Sequence, residues 1–402
     1  MFNRRKGNWC PGLTTKGTKE HEENCGVMTS CALVSLVAVT LPHGKTSPTA
    51  NANLFPPYRR RVNLNGMALS RITLCLLLLS RLTFAAWAGD RPSLQRRTVS
   101  TFSIVARDPA TGQMGIAVAS RYFSVGSVVP WAEADVGAVA TQADVNVGYG
   151  PRALELLRQG LSAQQVADRL LAEDTFPDKE GRQFAIVDAK GNVVTHTGPK
   201  APNWAGGQKG ATWAAQGNIL AGPQVPEAMG KAFEATQGEL AEKLYAALKA
   251  GDAAGGDKRG RQSAAMLIVC KGCGRNMNND RYLYLNVDDN PDPFAELRRL
   301  LDLNLMYNYE DQADSLLTKG NLTQARAAAE KAVHYAPKNT DSHMELAFID
   351  YAVGDKQAAL REFAVAAKDN PKFKQQFDAE MPYFPQAKQL AADKEFLKQL
   401  FP

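Results

Sequence analysis

One stretch, Thr101 to Arg121, reading TFSIVARDPATGQMGIAVASR, restricts the fold of this chain more than any other. Phe102, Ile104 and Ala106 alternate with Ser103 and Val105, the period-2 pattern of a strand. Asp108-Pro109-Ala110-Thr111-Gly112 follows with turn chemistry, because Pro109 presets φ and Gly112 accepts a positive φ. Gly115 to Ala119 is apolar on both faces, as a strand buried between layers is. The expectation is a hairpin that opens on Thr101. An N-terminal threonine serves as both nucleophile and base: its hydroxyl attacks, and its own α-amine, with a pKa of roughly 7.7–8.0, takes the proton.

The segment ahead of this hairpin reads as leader rather than fold. Residues 1–66 hold basic runs such as Arg59-Arg60-Arg61 and no sustained period, and are expected to be a disordered upstream mis-start. Met67 opens a different pattern. Arg71 is a short positive region, Ile72 to Leu79 is apolar, and Ala86-Trp87-Ala88 fits a small-x-small cleavage site, so 67–88 is expected to be a signal peptide. Residues 89–100 are then a linker or propeptide. The competing reading, a membrane anchor, lacks the required run of about 20 apolar residues because Arg81 interrupts it. The expected destination is outside the cytoplasm, periplasmic or secreted, with no stable membrane anchor. The whole chain carries 47 Lys and Arg against 41 Asp and Glu, but from residue 89 onward the balance is 36 against 38. The basic excess therefore sits in the leader, and nothing in the remainder argues for nucleic acid.

Four of the six cysteines also precede residue 89, leaving Cys270 and Cys273 in a CxxC spacing. A zinc site would need a second pair, and His196 is the only histidine between 89 and 333. A thioredoxin-like motif would open a helix, whereas this one follows the strand pattern Ala265 to Val269. A short-loop disulfide capping a hairpin suits an exported chain better; redox chemistry and metal stay open. No other metal constellation and no cofactor motif stands out, since no GxGxxG or GK[ST] follows a strand.

From Thr101 to about Asp288 strand patterns cluster, with helical patterns between the clusters. Strands are expected at 135–142, 183–188, 193–197, 213–216, 261–269 and 282–287. Helices are expected at 152–159, at 163–172 behind the N-cap Ser162, and as one long element over 226–250. Such an order suggests an α+β fold of sheet packed on sheet with helices outside, an α/β/β/α sandwich spanning 101–288. The proline-rich Asp288 to Pro293 reads as a linker. Beyond it, Gly320 and Gly354, Pro337 and Pro371, Ala325 and Ala359, Ala329 and Phe363, and Ala332 and Ala366 each recur 34 residues apart. That is the tetratricopeptide period, so 289–402 is expected to be a small all-α helical domain with end-capping helices at 294–303 and 387–400.

Four motifs in order, TFSIVARDPATGQMGIAVASR, VGSVVPWAEADVGAVATQA from Val125, QGNILAG from Gln216 and DKRGRQSAAMLIV from Asp257, resemble the domain of unknown function 1028 family. The resemblance covers roughly 101–288. It implies the N-terminal-nucleophile (Ntn) hydrolase superfamily and the same four-layer sandwich, and no particular substrate. The first strand is also similar to proteasome-type subunits, which return through a strand ending in an Asp-Ser-Arg-like step. Ala119-Ser120-Arg121 stands at that step, without the acid, and the lysine of the following strand has no counterpart in Val125 to Ala134. Arg121 is then the candidate for the positive charge beside the nucleophile.

Two functions follow. In the first, Thr101 attacks an amide or related C–N bond after a cut between Ser100 and Thr101, with Arg121 and Asn218 assisting. The second is a non-catalytic binding protein for a cell-wall fragment, peptide or protein. Asn218 reads as an oxyanion-hole donor or as a turn residue. Ser103 shares a strand face with Thr101 and either approaches the nucleophile or faces solvent. Arg261 suits a substrate carboxylate or a neighbouring acid, and His196 carries a proton only if it reaches Thr101. The expected partners are a small-molecule or peptide substrate and a protein held by the helical repeats; a homo-oligomer stays open.

Overall fold

The computed structural model describes residues 99–275, 278–368 and 370–402. The expectations for the mis-start at 1–66, the signal peptide at 67–88 and most of the 89–100 linker therefore lie outside the described residues.

The fold is mixed α+β with antiparallel sheets and a C-terminal helical region. The first hairpin pairs β1 (Thr101–Arg107) with β2 (Met114–Ser120) in an uninterrupted register from Thr101 opposite Ser120 to Arg107 opposite Met114. The turn holds because Asp108 accepts from Ala110 N, and Gly112 sits at φ 74°. Further along the chain come β3 (Pro130–Glu133), β4 (Gly137–Ala143), β5 (Arg182–Asp188), β6 (Val193–Thr197), β7 (Gly206–Lys209), β8 (Trp213–Gly217), β9 (Ser263–Val269) and β10 (Arg281–Val287). They form a six-stranded sheet ordered β10-β9-β2-β1-β8-β7 and a four-stranded sheet ordered β3-β4-β5-β6.

Alternation along each strand sends side chains to two different cores. Val105, Ile116 and Val118 join Ala138, Ala140, Ala185 and Val187 in an apolar layer between the two sheets. On the outer face of the six-stranded sheet, Phe102, Ile104 and Ala117 pack on α3 (Gln224–Ala235) and α4 (Leu240–Ala253) through Met229, Phe233, Leu244 and Leu248. On the outer face of the other sheet, Val139, Phe184 and Ile186 pack on α1 (Tyr149–Arg158) and α2 (Ala163–Glu173) through Leu157, Val166 and Leu170. Ser162 caps α2 in a capping box with Gln165.

Three departures from the sequence pattern have physical reasons. The long helix expected over 226–250 is two helices, because Thr236 turns extended and Gly238 takes φ 102°, which lets both lie on one sheet face. β3 opens on a proline and β7 is Gly206-Gly207-Gln208-Lys209; both are short edge strands with little apolar alternation to mark them. The helix expected over 294–303 runs from Pro293 to Thr318 as α5, capped by the Asp292 carboxylate. Its first half (Phe294, Leu297, Leu301, Leu305) belongs to the core with α3 and α4, and its last turns (Ala313, Leu317) to the tail. The 288–293 linker therefore does not separate two cores.

The tail continues as α6 (Leu322–Tyr335), α7 (Thr340–Val353), α8 (Lys356–Lys368), α9 (Phe373–Glu380), α10 (Ala387–Ala392) and α11 (Lys394–Leu400). The pairs 34 residues apart, Ala325 and Ala359, Ala329 and Phe363, Ala332 and Ala366, are all buried. Tail and sandwich also meet through one carboxylate. Glu239, at the start of α4, accepts from Tyr282 Oη of β10 (2.7 Å), Tyr309 Oη of α5 (2.9 Å) and Tyr335 Oη of α6 (3.4 Å).

Candidate active site

The hairpin register brings the Thr101 and Ser120 side chains together. Thr101 Oγ1 lies 3.2 Å from Ser120 Oγ and 3.1 Å from the Val99 carbonyl oxygen, with one proton to share between them. Ser120 Oγ donates in turn to the Ser100 carbonyl, the acyl half of the bond that precedes Thr101. The same carbonyl accepts from Arg259 Nη2 at 3.1 Å. Arg259 is held by Asp257, whose Oδ2 takes Arg259 Nη2 at 2.9 Å and the Arg121 backbone N–H at 3.0 Å. The Ser100 carbonyl oxygen thus carries a neutral and a cationic donor, next to the Thr101 hydroxyl that Ser120 also contacts. This is the polarisation that acyl transfer requires.

Around it lies a buried amide network. Ser103 Oγ donates to Gln142 Oε1 at 2.7 Å, and Gln142 Nε2 donates to the Thr101 carbonyl at 3.1 Å and to Gln183 Oε1 at 2.9 Å. Asn218 Nδ2 donates to Gln183 Oε1 at 3.0 Å and to the Val99 carbonyl at 3.3 Å, while its own Oδ1 is buried with no partner among the described residues. Thr101, Ser103, Gln142 and Asn218 are fully buried. Pairing offsets the cost of burying polar groups, and through Gln142 Nε2 this network holds the Thr101 carbonyl in place.

The expected site residues therefore separate into two groups. Thr101, Ser103 and Asn218 are brought together, with Ser103 inside the network and not facing solvent. Asn218 aims its amide at the Val99 carbonyl, not at the Ser100 carbonyl. Arg121 is displaced from the expected role: its guanidinium is exposed and donates to the Arg261 carbonyl at 3.0 Å. The guanidinium that meets the Ser100 carbonyl is that of Arg259. Arg261 is engaged by Asp252 in two 2.8 Å bonds, which raise its pKa. It lines a cavity of about 170 Å³ with Ser120, Asp257, Ser263, Phe102 and Phe294. His196 does not reach the site. It pairs with Phe184 in the sheet, stacks on that ring at 5.1 Å toward α1 and α2, and burial pushes its pKa down.

Ser120, Gln142, Gln183, Asp257 and Arg259 join the site without a role predicted from sequence. Ser120 had a signal, since pairing the two strands across the turn sets it opposite Thr101. Arg259 had none beyond its place in a glycine-rich turn, 159 positions from Ser100. Elsewhere, Cys270 and Cys273 are joined by a disulfide with Cα atoms 5.5 Å apart, at the end of the β9–β10 hairpin. Among the described residues no group of three or more His, Cys, Asp or Glu is arranged to hold a metal ion. No described helix is long and apolar enough to cross a membrane. In the tail, burial raises Glu310 to about 7, and burial with the neighbouring Asp314 raises Glu345 as well.

Residues 101–297 match the model of a family of unknown function, DUF1028. A crystal structure of a DUF1028 protein from Silicibacter pomeroyi is 32% identical, over a match that covers 50% of this chain and 84% of that one, with a TM-score of 0.46. None of the curated proteins matches the chain.

Proposed function

We propose, for a chain that belongs to the DUF1028 family, an exported hydrolase of the N-terminal-nucleophile type that cleaves an amide or related C–N bond. The observation that carries this reading is the Ser100 carbonyl, held by Ser120 Oγ and Arg259 Nη2 beside the Thr101 hydroxyl. Activation begins when Thr101 Oγ1 attacks the Ser100 carbonyl carbon. The bond to Thr101 N breaks, the hydroxyl proton ends on the freed amine, and an ester joins Ser100 to Thr101 Oγ1. Water then hydrolyses that ester, leaving a Ser100 carboxylate and a free N-terminal Thr101. In turnover the α-amine takes the hydroxyl proton as Oγ1 attacks a substrate carbonyl, then passes it to the leaving nitrogen. The succession of helices, sheet, sheet and helices supports the Ntn-type sandwich. The 34-residue spacing supports a tetratricopeptide-like tail that receives a protein partner.

A non-catalytic exported binding protein is the second reading. It is favoured by the complete burial of Ser100 and Thr101, and by the lack of a lysine among the described hydrogen-bond partners of Thr101. The deciding experiment is the intact mass and N-terminal sequence of protein exported from a gene starting at Met67, with Thr101→Ala beside it. The hydrolase reading expects wild type to begin at Thr101 and the variant to retain residues before it. A wild-type protein that keeps Ser100 selects the binding protein.

A further inference from the structure

The ester formed in activation is itself an acyl-enzyme, and its acyl group is the chain ending in Val99-Ser100. Whatever holds these two residues also describes the acyl group that the mature site accepts. Val99 makes an isolated antiparallel bridge to the end of β4: its N–H donates to the Ala143 carbonyl and its carbonyl accepts from Ala143 N–H, both at 3.0 Å. Its side chain, 1% exposed, sits in the apolar layer between the sheets. The Ser100 hydroxyl donates to the Asn218 carbonyl at 3.0 Å. Two residues flanking this slot, Ala143 (φ 63°) and Ile219 (φ 52°), have left-handed backbones although neither is glycine. Non-glycine residues in that region carry strain that gathers at ligand-holding sites.

We infer that the mature site cleaves after an extended peptide acyl group with a small hydroxyl residue at the scissile carbonyl and a β-branched apolar residue before it. This deepens the hydrolase reading and rests on it. The preceding residue pairs its backbone with Ala143 and fills the apolar space left by Val99, in the manner of strand addition. The residue at the scissile carbonyl gives its hydroxyl to the Asn218 carbonyl and its carbonyl oxygen to Ser120 and Arg259. A larger or charged side chain at either position meets buried surface with no partner for it.

The test uses full-length exported protein whose N-terminus at Thr101, and whose labelling there by a β-lactone, have been established first. Those two results report on the hydrolase reading; the ranking of substrates reports on the inference. Acetyl-Val-Ser-aminomethylcoumarin is expected to exceed acetyl-Val-Leu- and acetyl-Asp-Ser-aminomethylcoumarin by about ten-fold or more in kcat/KM, the scale set by one misfitted pocket. The precursor variants Ser100→Leu and Val99→Asp are expected to process more slowly than wild type by a comparable factor. Labelled protein that cleaves the Leu or Asp peptides as well as Val-Ser, or cleaves none of them, overturns the inference and leaves the nucleophile standing. Protein that keeps Ser100 overturns both.

Discussion

Replacing Glu239 with alanine removes an acceptor that three tyrosines from three different elements share. Tyr282 and Tyr309 reach it at 2.7 and 2.9 Å, while Tyr335, at 3.4 Å, contributes little. A hydrogen bond to a charged group contributes about 1.5–3 kcal/mol, so the two short ones amount to about 3–6 kcal/mol. Glu239 is only half-buried, and water takes over part of the freed bonding. The expected loss for Glu239→Ala is therefore about 3 kcal/mol, and for Glu239→Gln, which keeps one acceptor oxygen, about 1 kcal/mol. Urea unfolding followed by tryptophan fluorescence and extrapolated linearly measures both. A second readout comes from the phenols. Burial first, and then the Glu239 carboxylate, hold Tyr282, Tyr309 and Tyr335 above their ordinary pKa, so alkaline absorbance titration of the alanine variant should begin at lower pH. A Glu239→Ala loss below about 0.5 kcal/mol, the range of an ordinary surface change, would refute the idea that this carboxylate ties the tail to the sandwich.

Other outcomes follow from packing and charge. Phe294, 1% exposed and stacked on Phe102 at 6.4 Å, should cost about 3–5 kcal/mol as Phe294→Ala and less than about 1.5 kcal/mol as Phe294→Leu in the same urea assay. In the tail, carboxyls whose folded pKa is raised bind their protons more tightly in the folded state. Their penalty is absent below about 4.5, builds as pH rises above it, and is complete only past the folded value, about 7 for Glu310 and higher for Glu345. Thermal melts at pH 5 and pH 8 should therefore show Glu345→Gln gaining stability over wild type at the higher pH, and an unchanged difference would contradict this. Carboxylates held low by arginines, such as Glu173 at about 2, finish titrating below that window. Removing the disulfide with Cys270→Ser and Cys273→Ser together should cost no more than about 2 kcal/mol by urea unfolding, because the loop it closes is so short.

The parts of the fold legible in the sequence were those where one physical pattern acts alone. β1 was marked by its period-2 alternation, and α2 by the Ser162 cap. The break at Gly238 was not, because Pro226 to Ala250 keeps an amphipathic pattern on both sides of it and the turn depends on which sheet face lies beneath. The length of α5 was hidden for a related reason: its two halves serve different cores, so no single apolar stripe runs along it. At the site, Thr101 was visible through its position, whereas Arg259 depends on long-range closure of the sheet. Arginines in a glycine-rich turn look alike until the strands bring one of them to a particular carbonyl. The likeness of Ala119-Ser120-Arg121 to the proteasome-type step favoured Arg121, and the backbone N–H of that residue, not its guanidinium, meets Asp257.

The sharing of α5 between two cores has a mechanical consequence. Twenty-six residues of α-helix extend about 39 Å, a stiff strut with one end built into each hydrophobic interior. No swivel exists where a connector would ordinarily supply one, and the family match ends at Leu297, within the first two turns of this strut. The tail is then indexed to the two sheets at a set distance and rotation, and inserting a single residue into the strut would turn the tail about its axis by about 100°.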